Sequence, residues 1–126
     1  MQPYIKYFTP ADANKTLPLV RSIVRDILRD ATMIKIISDN LDGEIENNNE
    51  VKILLSNIEG FTKELMEIGC YFKDWNFEVG LVDFPSIIND EEVFLCWKSD
   101  EDSINHYHSV REGFIGRKPI PEELLK

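Results

Sequence analysis

Side chains capable of chemistry are concentrated in one part of the sequence, residues 80–119. This stretch contains Asp83, Cys96, His106 and His108, together with two arginines and three glycines. Thiol, imidazole and carboxylate groups are common ligands of transition metals and common participants in nucleophilic catalysis. The stretch matches no catalytic motif, so it indicates a candidate site without an assigned reaction.

The two histidines form an H-x-H pattern, whose meaning depends on the local conformation. On a strand, His106 and His108 would point to the same side, and Cys96 or Asp83 could supply a third metal ligand. In a helix, the two imidazoles would point to different faces. Because neither C-x-x-C nor H-E-x-x-H spacing occurs, we predict no metal and no cofactor, and keep the two histidines as the alternative metal ligands.

Cys96 has two interpretations. A free cysteine in an apolar run is typical of a small buried side chain, and we prefer this interpretation. The alternative is a nucleophile, which would need an adjacent base, and His108 is the natural candidate.

Asp83 lies in a run that is otherwise apolar, where a carboxylate needs a partner. His108, Arg111 or Arg117 could provide one. We predict a buried ion pair that locks the C-terminal segment onto a sheet, with a polar pocket as the alternative.

Glu112 completes the candidate polar cluster. Residues 112–114 and 116–118 could place backbone amides and an arginine around an anion, although the phosphate-loop spacing is absent. Trp97 and Tyr107 could line a pocket, but we expect both in the core. The candidate ligand-binding or structural cluster is Asp83, Cys96, His108, Glu112 and Arg117.

Residues 1–69 are predicted to position these side chains with a helical hairpin. Thr9 and Pro10 are typical of a helix start, while Pro18 predicts a break, with Thr16 capping a second start. Two apolar seams with alternating spacings of three and four follow: Leu17, Val20, Val24, Ile27, Ala31 and Ile34, then Val51, Leu54, Ile58, Phe61, Leu65 and Ile68. A polar turn at residues 42–43 and 47–49 separates them. Gly69 is placed for a left-handed cap, and Gly60 indicates a close helix approach.

Residues 70–126 are predicted to form a small antiparallel sheet and an irregular C-terminal segment. Residues 70–72 and 79–84 are β-prone, with Pro85 ending the second run, and residues 92–98 are the clearest strand. Two or three strands are therefore expected, with the hairpin across one face. Ile104, Tyr107 and Val110 have helical spacing, but an irregular conformation fits equally. The predicted fold is α+β, with residues 1–126 forming a single domain.

Composition restricts the classes of function. The formal charge is −9, with −3 in residues 1–69 and −6 in residues 70–126, so we predict neither nucleic-acid nor membrane binding. No apolar run is long enough for a membrane span, and the N-terminus lacks the pattern of a signal peptide. We therefore expect a cytoplasmic protein in which Cys70 and Cys96 stay reduced.

Several strings together resemble a known family. The order GLVDFP, VFLCW, YH and EGFIGRKPIP, with FTPADANKTLPLV near the start, is similar to a family of bacterial proteins classed as a domain of unknown function. The resemblance covers nearly the whole chain. It implies a helical hairpin with a small β element, and it implies no assigned activity.

Two functions follow as expectations. The first is a small protein-interaction module, homodimeric through the wide helical faces, with itself as partner. The alternative is a small-molecule or metal-dependent enzyme, or a ligand-binding protein, that uses the polar cluster.

Overall fold

A computed structural model describes residues 4, 6–40, 47–74 and 76–125 of the chain. These residues form two helices and a five-stranded antiparallel sheet. The predicted α+β fold, a helical hairpin packed on a small antiparallel sheet, is confirmed. Short 3₁₀ turns lie in the C-terminal part, at Phe114–Gly116 and Glu122–Leu124. The helices and strands are α1 (Pro10–Asp39), α2 (Asn49–Ile68), β1 (Tyr71–Phe72), β2 (Leu81–Ile88), β3 (Glu91–Lys98), β4 (His106–Ser109) and β5 (Lys118–Pro119).

Helix α1 begins where the sequence predicts. Oγ1 of Thr9 accepts a hydrogen bond from the amide of Asp12 (3.1 Å), and Pro10 lies in the first turn. The predicted break at Pro18 is wrong, because the helix continues through this residue. Thr16 caps no second helix, since its hydroxyl donates to the carbonyl of Asp12 within α1 (3.0 Å).

Tertiary contacts explain why α1 tolerates a proline. An interior proline costs a helix about 3 kcal/mol. Leu17 and Val20 on either side are buried, and burial of such side chains contributes roughly 1.5–3 kcal/mol each. In addition, the side chain of Asn14 exchanges two hydrogen bonds with the backbone of Ile104, at 3.1 and 2.8 Å. These contacts offset the cost of Pro18.

Helix α2 is capped at both ends by side chains that the sequence favours. Oδ1 of Asn48 accepts a hydrogen bond from the amide of Val51 (2.9 Å), and Gly69 ends the helix with φ of +112°. Ile58 and Leu65, seven residues apart, are buried in the core shared with α1. The antiparallel hairpin is therefore held by the predicted seam.

Gly60 does not mark a close helix approach, contrary to the prediction. A Cβ at this position would meet no atom within 4 Å outside its own helix backbone. The polar turn predicted at residues 42–43 lies outside the described residues. Neither helix, as described, combines the length and apolar character needed to cross a bilayer.

The sheet is a meander, because the strand order β1-β2-β3-β4-β5 follows the chain. Five strands replace the two or three predicted. The pairing of β2 with β3 is the longest, running from Leu81 opposite Lys98 to Ile88 opposite Glu91. Residues 106–109, for which helical and irregular conformations were considered, form strand β4.

Pro85 lies inside β2, so the prediction that it ends the strand is wrong. The carbonyl of Pro85 accepts a hydrogen bond from the amide of Phe8 (2.7 Å), so this carbonyl points away from β3. The nitrogen of an extended residue points to the same side as its carbonyl, so the missing N–H removes no bond from the β2–β3 ladder.

The sheet has two different faces. Val82, Phe84, Leu95 and Trp97 are completely buried in the core shared with the helices. Strand residues alternate, so their neighbours point to the opposite side, which we call the outer face. The candidate site lies on this outer face.

Candidate metal centre

Strand pairing brings the candidate residues together on the outer face. Asp83 on β2 is opposite Cys96 on β3, and Cys96 is opposite His106 on β4. His108 is two residues further along β4, opposite Phe94. Because side chains on one strand repeat every two residues, both histidines are on the outer face, which the sequence left open.

His108 and Asp83 form a buried hydrogen-bonded pair. Nε2 of His108 lies 3.1 Å from Oδ1 of Asp83, and the two side chains are 4% and 9% exposed. Nδ1 of His108 lies 2.7 Å from the carbonyl oxygen of Ser109. A carbonyl can only accept, so Nδ1 carries a hydrogen and Nε2 faces the carboxylate.

The pKa of His108 is raised above its ordinary value of 6.5. Burial is the largest effect and lowers this pKa, but it is outweighed by the hydrogen bonds to Asp83 and the Ser109 carbonyl and by the charge of Asp83. The ammonium group of Lys73 also acts to lower it. The pair therefore keeps a proton more firmly than a free imidazole would.

Cys96 lies beside this pair. Its Sγ, a carboxylate oxygen of Asp83 and a ring nitrogen of His108 all lie within 4.8 Å of one another. Burial and the Asp83 carboxylate raise the pKa of the thiol to about 12, against the lowering effect of the nearby Arg117. In the metal-free protein the thiol is therefore protonated.

A nucleophilic role for Cys96 with His108 as base finds little support in this geometry. A base must have a ring nitrogen free to take the thiol proton. Nδ1 and Nε2 of His108 are both engaged, with Ser109 and Asp83 respectively.

Arg117 contacts the other side of Cys96 and does not pair with Asp83. Its Nη2 donates to the carbonyl of Cys96 (3.0 Å) and to Oε1 of Glu101 (2.8 Å). Its guanidinium carbon lies 4.8 Å from the centre of the Phe114 ring. Arg117 thus holds the segment after β4 against the edge of the site.

Glu112 lies outside the cluster. Its side chain accepts a hydrogen bond from the Ser109 hydroxyl (3.0 Å), and its amide donates to the same hydroxyl (3.2 Å). The amides of Gly116 and Arg117 donate to the carbonyls of Gly113 and Phe114. These amides are therefore unavailable for the anion site considered from the sequence.

His106 shares the outer face with His108 but belongs to a different group. Its Nδ1 lies 3.5 Å from Oε2 of Glu101, an ion-pair distance that does not meet hydrogen-bond geometry. Of the two histidines considered as metal ligands, only His108 is grouped with Asp83 and Cys96.

A cavity of about 300 Å³ opens onto the cluster. Besides Asp83, Cys96 and His108, the lining of this cavity is mainly apolar and includes one cation, Lys73. Lys73 was not among the residues selected from the sequence. Trp97 and Tyr107 do not line it, and Trp97 is completely buried. The lining residues are Lys73, Leu81, Asp83, Phe94, Cys96, His108, Val110, Gly113 and Phe114.

The position of Lys73 on the outer face follows from the alternation of side chains along β1, but only once the register of β1 with β2 is known. Tyr71 is opposite Asp83, so it is on the outer face, and Lys73 follows two residues later. The amide of Lys73 donates to the carbonyl of Leu81 (2.7 Å), which continues the β1–β2 pairing.

Comparison with known protein families identifies a match over most of the chain. The sequence model of a family described as "Uncharacterized conserved protein (DUF2203)" matches residues 6–120, which include the whole cluster. No curated protein and no solved structure matches the chain.

Proposed function

The chain belongs to the DUF2203 family of conserved proteins, and we propose that it binds one zinc ion through Asp83, Cys96 and His108. The observation that carries this proposal is the grouping of a carboxylate, a thiol and an imidazole within 4.8 Å of one another in a buried position. Carboxylate oxygen, thiolate sulfur and imidazole nitrogen are the three kinds of ligand that proteins use for zinc.

The position of His108 supports this assignment. A histidine that binds a metal through one nitrogen generally donates its other N–H to a carbonyl or carboxylate, which fixes the ring. Nδ1 of His108 already lies 2.7 Å from the Ser109 carbonyl, leaving Nε2 directed at Asp83. A zinc ion would replace the proton between Nε2 and the carboxylate, and the thiol of Cys96 would bind as thiolate.

The adjoining cavity supports an open zinc site. Structural zinc sites usually have four protein ligands, whereas catalytic sites have three and leave the fourth position to water or substrate. The described residues offer three ligand side chains here, and the cavity of about 300 Å³ lies against them. A zinc ion held by Asp83, Cys96 and His108 would supply Lewis-acid chemistry, by polarising a water molecule or a substrate oxygen in the cavity.

Metal reconstitution tests the proposal. The protein is stripped with a chelator, reloaded with zinc, desalted and subjected to elemental analysis, with one zinc per chain expected. Cobalt is then substituted for zinc, because a thiolate ligand gives a charge-transfer band in the near ultraviolet. Asp83→Asn, Cys96→Ser and His108→Gln should each lower zinc affinity at least tenfold, and Cys96→Ser should abolish the band.

His106→Gln is the matched control, since it removes the other imidazole of the same strand face and should leave zinc binding intact. Failure of the folded protein to take up zinc would overturn the proposal, as would full retention of zinc by all three single variants. The cluster would then serve only to connect β2 and β4 through the hydrogen bond between Asp83 and His108.

We propose homodimerisation as a second function, on a separate observation. The helices carry large apolar side chains that are about half exposed, including Leu19 (55%), Leu55 (54%) and Met66 (49%). Leu19→Glu should convert a dimer to a monomer in sedimentation experiments, with Ile115→Glu as control because Ile115 is 98% exposed and lies outside the helices. A wild-type monomer at high concentration would exclude this proposal.

Cytoplasmic location also stays a proposal, supported by two free, buried cysteines.

A further inference from the structure

Lys73 lines the cavity beside the cluster with an exposed side chain. Its ammonium forms no ion pair with a carboxylate of the described residues. We infer that the cavity binds a small monocarboxylate with an apolar body, whose carboxylate lies between Lys73 and the metal. This inference rests on the zinc site proposed above and specifies the class of ligand that the site takes.

The charges around the cavity favour a single negative charge on the ligand. Zinc with two anionic ligands, Asp83 and Cys96, and a neutral His108 has no net charge. No carboxylate of a described residue lies within 4 Å of the Lys73 ammonium. Glu92, at the other end of the outer face, is hydrogen-bonded to Tyr7. The Lys73 ammonium is therefore a positive charge at the cavity rim without an ion-pair partner among the described residues.

Aromatic rings hold the Lys73 ammonium near the cavity. Nζ lies 5.9 Å from the centre of the Phe94 ring and 6.0 Å from that of Tyr71. A cation over an aromatic face is attracted to it, and the interaction is compatible with a further anion on the open side.

The walls and the volume describe the rest of the ligand. Leu81, Phe94, Val110 and Phe114 give an apolar lining. A volume of about 300 Å³ is at the lower end of the range for ligand sites. In liquid water this volume holds roughly ten molecules. A compact acid of about that many non-hydrogen atoms fits this space.

A phosphate ester is a poorer match. Phosphate sites normally present several backbone amides or more than one cation. The amides of Gly116 and Arg117 are hydrogen-bonded within their own segment, and the guanidinium of Arg117 is paired with Glu101. Lys73 alone is suited to a carboxylate.

Calorimetry with phenylacetate and its neutral analogue phenylacetamide tests the inference, on zinc-loaded and on metal-free protein. Zinc-loaded protein should bind phenylacetate at least tenfold more tightly than phenylacetamide. Lys73→Gln should remove this preference without changing zinc content. Lys63→Gln is the matched control, because it removes one positive charge from the exposed surface of α2.

The outcomes separate the two proposals. Normal zinc loading with equal binding of both probes, with no binding, or with an unchanged preference in Lys73→Gln overturns the carboxylate inference and leaves the zinc site standing. Loss of zinc loading overturns the zinc site. In that case a Lys73-dependent preference for phenylacetate in metal-free protein still supports an anion site at Lys73, and its absence overturns that site as well.

Discussion

His108 on β4 is hydrogen-bonded to Asp83 on β2 across the intervening strand β3, with 3.1 Å between Nε2 and Oδ1. The bond therefore joins two strands that share no backbone hydrogen bonds. Strand β4 has only four residues and β5 only two. The pair thus gives the short strand β4 a polar side-chain link to the centre of the outer face, beside the one that Arg117 makes to the Cys96 carbonyl.

Removing His108 should destabilise the metal-free protein. Breaking a buried pair by deleting one partner costs about 3–5 kcal/mol, because the other charge is left unpaired. His108→Gln should therefore lower the free energy of unfolding by about 3 kcal/mol in urea titrations. The double variant with Asp83→Asn should be less destabilised than the two single variants summed. Strict additivity would show that the two side chains do not interact.

The stability of the metal-free protein should fall as pH rises above about 6.5, the pKa of an unperturbed histidine. The pKa of His108 is raised in the folded state, so its contribution is fully present below the unfolded pKa of about 6.5. It is lost as pH rises through the folded pKa. Among the described residues, the charged or titratable groups facing His108 are Asp83, Cys96 and Lys73. Unfolding in urea from pH 6 to pH 8.5, with chelator present, should show this decline, and His108→Gln should reduce it.

Zinc affinity should have the opposite pH dependence. Binding requires release of the Cys96 proton, whose pKa is about 12, and of the proton shared by His108 and Asp83. Affinity should rise about a hundredfold per pH unit while both protons are present, and about tenfold once the histidine proton has been lost. Chelator competition from pH 6 to pH 8.5 measures this slope. An affinity independent of pH would contradict ligation by this pair and thiol.

Two glycines should respond in opposite directions to alanine. A Cβ at Gly80 would lie 2.3 Å from Cγ1 of the buried Val24, so Gly80→Ala should cost about 1–3 kcal/mol by overpacking. At Gly60 a Cβ meets nothing within 4 Å, and alanine should stabilise α2 by up to about 1 kcal/mol. Thermal unfolding of both variants decides the comparison, and a destabilised Gly60→Ala would mean that the helix approaches a neighbour there.

Local patterns predicted the elements that local forces determine. The helix cap at Thr9, the left-handed end at Gly69 and the strand at Glu91–Lys98 follow from nearby residues alone. Pro18 and Pro85 were misjudged because distant contacts, with Ile104 and with Phe8, decide whether a proline is tolerated. Such contacts leave no mark on a single sequence.

The sequence located the region of the site, but it left open which residue pairs with Asp83. Asp83, Cys96 and His108 were selected as reactive side chains in an apolar setting, and the structure brings them together. The choice of His108 rather than Arg117 as partner of Asp83 depends on the β3–β4 register, in which His108 is opposite Phe94. Periodicity fixes the face of a strand, but the register is set by the whole sheet.

The meander order of the strands also bears on how the protein folds. Each strand pairs with its neighbour in the chain, so the sheet can grow by successive hairpins without waiting for a distant segment to arrive. Chains dominated by near-sequence contacts fold faster than those that need remote pairing. The three cluster residues lie within one such run of hairpins, from Asp83 to His108, so the cluster should assemble early, as soon as β2, β3 and β4 have paired.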